Sequence, residues 1–106
     1  MQNLKTTPTL PDFQQYVREL EEERGFAKQT NAQKGLLLGE EIGELFRAMR
    51  KREAELRVDA NSEAHNVADE LADVFIYLCA IANRYEVDLE QAFRNKEEKN
   101  KTQVWR

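Results

Sequence analysis

Apolar residues along this chain recur at three- and four-residue intervals, the period of a helix with one face turned inward. Phe13, Tyr16, Val17 and Leu20 form a first stripe. Leu38, Ile42, Leu45 and Met49 form a second, and Val67, Leu71, Val74, Leu78 and Ile81 a third. Beta-branched runs that would favour strands are absent. The pattern predicts four helices, over about residues 11–23, 32–56, 63–85 and 89–99. Thr9 or Asp12 can cap the first helix and Gly25 can end it. Residues 25–31 read as a polar connection and 58–62 as a loop. Asn61 or Ser62 can cap the third helix, and Asp88 the fourth. Both prolines, Pro8 and Pro11, precede these elements or sit at their start, so no later helix is broken by one. Short links between long amphipathic helices predict an all-α, antiparallel four-helix bundle-like domain, with residues 1–106 as one domain.

Length and charge narrow the partners. A chain of 106 residues suits one small domain with a modest core, and such helical chains often assemble, so a homo-oligomer is expected. The net charge of -4, with both signs mixed, argues against a nucleic-acid partner, which would call for a clustered basic surface. No run approaches the ~18 apolar residues of a membrane span. The first residues, MQNLKTTPTL, lack the apolar core of a secretory signal, which points to a cytoplasmic protein. The single cysteine, Cys79, excludes an internal disulfide and fits a reducing compartment. Cys79 and the single histidine, His65, are not spaced as zinc ligands. Cys79 reads as a small core residue, His65 as exposed, and Phe46, Phe75 and Phe93 as core or subunit contacts.

The chemistry is concentrated on the second and third helices. At about 100° per residue, Glu40, Glu41 and Glu44 share an arc beside the second apolar stripe. Glu70, Asp73 and Tyr77 run along the edge of the third. A carboxylate on a solvated helix face usually has a Lys or Arg three or four positions away. Glu41 is instead followed at those positions by Glu44 and Leu45, Glu70 by Asp73 and Val74, and Asp73 by Ile76 and Tyr77. Glu40 with Glu44, and Asp69 with Asp73, are like-charged pairs that each cost about 0.2–0.5 kcal/mol in an isolated helix. A divalent cation between the helices removes that conflict. Oxygen-only ligands favour magnesium, or manganese as a substitute, over zinc or iron. One E-x-x-E alone is commonly a solvated face. Two such pairs, each beside a core stripe and short of basic partners, make metal binding a balanced alternative to that reading. Gly39 and Gly43, each costing about 1 kcal/mol in a helix interior, suggest close packing or room for a ligand.

At these residues the sequence resembles the MazG-like nucleotide pyrophosphohydrolases of the all-alpha NTP pyrophosphatase superfamily. Glu41-Ile42-Gly43-Glu44 and Glu70-Leu71-Ala72-Asp73 match that family's E-x-x-E and E-x-x-D pair. The surrounding Leu38-Gly39-Glu40-Glu41-Ile42-Gly43-Glu44-Leu45 and Asp69-Glu70-Leu71-Ala72-Asp73-Val74 are also similar to it, and the likeness runs from about Phe13 to Arg106. The resemblance implies magnesium held by Glu41, Glu44, Glu70 and Asp73. It implies hydrolysis of nucleoside triphosphates, dNTPs in particular, to monophosphate and pyrophosphate in nucleotide-pool housecleaning, with a mild leaning to deoxycytidine-type substrates. Dimers or tetramers with sites between subunits are implied as well. Glu40, beside the ligands, and Glu41 are the catalytic candidates; Glu40 either handles the attacking water or is a surface acid. Tyr77 resembles a nucleotide-contacting position, with a buried structural tyrosine as the alternative. Lys96, Lys99, Asn100 and Arg106 stand where the family places phosphate- or sugar-contacting groups, or else form a charged helix end. Lys28, Gln29 and Lys34 could close over phosphate or base, and Trp105 and Phe26 could stack on a base or cover a subunit contact.

Other classes compete. A non-enzymatic helical interaction module would leave the acids as a solvated face. A di-iron carboxylate bundle would need Glu-x-x-His pairs, which Glu44 and Asp73 do not supply. A relative that cleaves phosphoribosyl-ATP typically carries a histidine soon after its second acidic motif, where this chain reads Val74-Phe75-Ile76-Tyr77-Leu78. Dimeric dUTPase-like relatives are normally longer.

Overall fold

A computed structural model describes residues 3–54 and 66–103. They form four helices: α1 (Leu10–Glu23), α2 (Asn31–Ala54), α3 (Val67–Arg84) and α4 (Leu89–Thr102). There is no strand among the described residues, so the all-α expectation holds. None of their helices is long and apolar enough to cross a membrane.

Local chemistry sets the boundaries. Thr9 and Asp12 act together in a capping box: the Thr9 N–H donates to Asp12 Oδ2 at 2.9 Å, and the Asp12 N–H donates to Thr9 Oγ1 at 3.4 Å. Thr30 and Gln33 repeat the device and start α2 at Asn31. Asn66 caps α3 by accepting the Asp69 N–H at 3.0 Å, so this helix begins at Val67, the first residue of its apolar stripe, and not near residue 63. Asn61, Ser62 and His65 lie outside the described residues, as does the predicted end of the second helix. Asp88 caps α4 as expected, accepting from the Gln91 N–H at 3.0 Å.

The chain divides into two compact units, Met1–Lys28 with Cys79–Arg106, and Gln29–Leu78. In the first, Val17, Leu20, Cys79, Ala80 and Ala82 are buried. Gln14, also buried, joins three segments: its amide nitrogen donates to Asn83 Oδ1 at 3.1 Å and the Val87 carbonyl at 2.8 Å, and its oxygen accepts the Leu89 N–H at 2.9 Å. Arg84 pairs with Glu21 at 3.5 Å and donates to the Phe26 carbonyl at 3.1 Å. Gly25, at φ 79°, takes the left-handed turn that ends α1, while the turn after α3 puts Glu86 at φ 56°.

The second unit pairs α2 with the first part of α3. Lys34 on α2 lies 5.2 Å from the ring centre of Tyr77 on α3. Two turns later on α2, Glu41 meets Glu70 and Asp73. Forward along α2 is therefore backward along α3, and these two helices run antiparallel. Their inward arcs are rotated from the predicted stripes. Ala48 is buried where Met49 was expected, and Leu71 and Leu78 are 52% and 44% exposed. Val74 keeps its inward place, and Glu70 and Tyr77 are half-buried beside it. Phe46 and Phe93 are exposed and contribute nothing to the core of the described residues, whereas Cys79 is fully buried as expected. Gly39 and Gly43 do not sit at a tight contact: an added Cβ at either meets open space.

Candidate functional site

Because α2 and α3 run antiparallel, acids spaced by one turn on each come opposite one another. Glu41, Glu70 and Asp73 each offer a carboxylate oxygen, and these oxygens lie within 4.8 Å of one another. Opposite ligands of a magnesium ion stand about 4.2 Å apart, twice the ~2.1 Å metal–oxygen distance. Adjacent ligands stand about 3.0 Å apart, so the three oxygens would have to draw closer together to share one ion. The donor set is oxygen only and anionic, the chemistry a hard divalent cation takes.

Electrostatics point the same way. The Glu41 carboxyl is held above its ordinary value of 4.5, first by its half-buried position, then by the charges of Asp73, Glu70, Glu44 and Glu40. Four neighbouring carboxylates thus oppose a fifth, and a cation among them reverses that opposition.

The other expected residues are placed as follows. Glu44, one turn from Glu40, is exposed and outside the three-oxygen group; its Oε1 lies 3.9 Å from Arg47. Glu40 is exposed beside Glu41. Tyr77, one turn beyond Asp73, is half-buried under the Lys34 ammonium. Lys96 and Lys99 are exposed on α4 in the unit that contains α1, and Asn100 there donates to Glu97 Oε2 at 3.1 Å. Arg106 and Trp105 lie outside the described residues, and Phe26 is exposed.

Lys34 has a more definite setting than its sequence position conveyed. It is 3% exposed, and its Nζ donates to Gln29 Oε1 at 2.6 Å. One signal was available: Lys34 precedes Glu41 by two turns and shares its face. The family model of the MazG nucleotide pyrophosphohydrolase domain matches residues 29–104, which include every residue of the carboxylate group. No curated protein matches the chain.

Proposed function

The chain belongs to the MazG nucleotide pyrophosphohydrolase family, and from that membership and its carboxylate group we propose that it hydrolyses nucleoside triphosphates, dNTPs in particular, to monophosphate and pyrophosphate with magnesium. The observation that carries the reading is the convergence of Glu41, Glu70 and Asp73 to within 4.8 Å. These three would hold the ion, with Glu44 joining after release from Arg47. Manganese would substitute, since it accepts the same ligands. When bound, the ion supplies Lewis-acid polarisation and charge neutralisation at phosphoryl oxygens.

The protein's own groups supply the rest. Glu40, exposed next to Glu41, orients the attacking water and takes its proton, or leaves that proton to Glu41. The water oxygen bonds to phosphorus and the bridging P–O bond breaks, the electron pair leaving with pyrophosphate if the α-phosphorus is attacked and with the monophosphate if the β-phosphorus is. Tyr77 contacts the nucleotide, and Lys96, Lys99, Asn100 and Arg106 contact phosphate or sugar. The whole chain, residues 1–106, acts as one catalytic domain. It works in the cytoplasm as a dimer or tetramer, in keeping with exposed Leu36, Phe46 and Phe93. The role is removal of surplus or non-standard deoxynucleotides, deoxycytidine-type ones included.

A panel of canonical and modified NTPs and dNTPs, assayed for pyrophosphate release with magnesium, tests the proposal. Release from at least one triphosphate is expected. No release from any of them, together with no magnesium binding by calorimetry, would favour a non-enzymatic helical module.

A further inference from the structure

Lys34 is a cation buried inside the second unit. It is 3% exposed, and burying an ammonium costs several kcal/mol before compensation. It also sits near the N-terminus of α2, the positive end of that helix's dipole.

Its surroundings connect it to the carboxylate group. Lys34 and Glu41 share one face of α2, about 10 Å apart along the axis at ~1.5 Å per residue. Tyr77, whose ring centre lies 5.2 Å from the Lys34 Nζ, is one turn from Asp73 on α3. The strip that carries the acids at one end thus carries a cation braced on an aromatic ring at the other. The Lys34 ammonium donates to the neutral amide oxygen of Gln29 at 2.6 Å. A phosphate oxygen in place of that amide oxygen would make a charge-assisted bond, roughly twice as strong as a neutral one.

We propose that Lys34 binds the phosphate of the substrate that lies farthest from the carboxylate group, and so selects triphosphates over shorter phosphate chains. Gln29 holds the ammonium until phosphate displaces it, and the Tyr77 ring packs against it. A triphosphate gripped at one end by Glu41, Glu70 and Asp73 through the cation reaches toward Lys34, and a monophosphate does not. This assignment rests on the pyrophosphohydrolase reading above.

The test uses the full-length protein with Lys34→Met, which keeps the apolar stem, Lys34→Arg, which keeps the charge, and Gln29→Glu, which places a competing carboxylate on the ammonium. KM and kcat are measured for a nucleoside triphosphate, and calorimetry with inorganic tripolyphosphate and magnesium reads binding directly. Lys34→Met is expected to raise KM and weaken tripolyphosphate at least about tenfold, the loss of one charge-assisted bond. Its kcat should change less, and its magnesium affinity should not change. Lys34→Arg should recover part of the loss, and Gln29→Glu should weaken tripolyphosphate without unfolding the protein. Wild-type protein that turns over no triphosphate overturns the pyrophosphohydrolase reading. A wild type that does, paired with Lys34→Met and Gln29→Glu variants of unchanged KM and tripolyphosphate affinity, overturns the Lys34 assignment alone.

Discussion

Glu41 on α2 and Asp73 on α3 hold carboxylate oxygens within 4.8 Å of one another, with Glu70 as the third member of the group. Burial first, and then the like charges of Asp73, Glu70, Glu44 and Glu40, raise the proton affinity of Glu41. The same arrangement attracts a divalent cation.

Stability should therefore depend on pH and metal with a defined sign. Glu41 has a folded-state pKa above its ordinary 4.5, so its contribution is fully present below 4.5 and is lost as pH rises through the raised value. Glu41→Gln should melt higher than wild type at pH 7 without metal, and the gap should narrow as pH falls toward 4.5. Magnesium at ten times its Kd should stabilise the wild type by about 1.4 kcal/mol, or ~6 °C, and Glu41→Gln by less. Differential scanning fluorimetry across pH, with magnesium and with chelator, reads both effects.

Turnover should depend on the acids unequally. Glu41→Gln and Asp73→Asn should each lower kcat/KM at least about 100-fold, or nearly 3 kcal/mol of transition-state stabilisation, with unchanged helical circular dichroism. Glu44→Gln should cost less, since Glu44 stands outside the three-oxygen group and lies 3.9 Å from Arg47. Wild-type rates in both Glu41→Gln and Asp73→Asn would refute the site.

Gln14 should be a structural hot spot away from that chemistry. Gln14→Ala strips the side-chain partner from the Val87 carbonyl and the Leu89 N–H, while Asn83 Oδ1 keeps Arg18 at 3.1 Å. The expected loss is about 2–4 kcal/mol, since each buried polar group left unpaired costs ~1–3. Urea unfolding measures it, and a variant within about 0.5 kcal/mol of wild type would contradict this account.

Gly39 and Gly43 offer a cheap gain. An added Cβ meets open space at each, so Gly39→Ala and Gly43→Ala should each stabilise α2 by up to about 1 kcal/mol. Equilibrium unfolding checks the sign. A loss of stability would mean that another copy of the chain packs closely against this face.

The sequence by itself determined the helices, the Thr9 and Asp88 caps, the fully buried Cys79 and the two acidic pairs, because these follow from short-range rules of period and hydrogen bonding. It also offered the Thr30–Gln33 capping box, which the polar look of residues 25–31 concealed. Only the tertiary structure decided which part of each helix faces inward. A helical period gives the width of an apolar face; its centre is set by the partner helix, so Ala48 replaces Met49 inside while Leu71 and Leu78 turn outward. The antiparallel register of α2 and α3 likewise decided which carboxylates meet. Spacing along one helix cannot say what stands across from it. For the same reason Lys34, which the sequence offered as a group to close over phosphate or base, proved to be buried beside Tyr77.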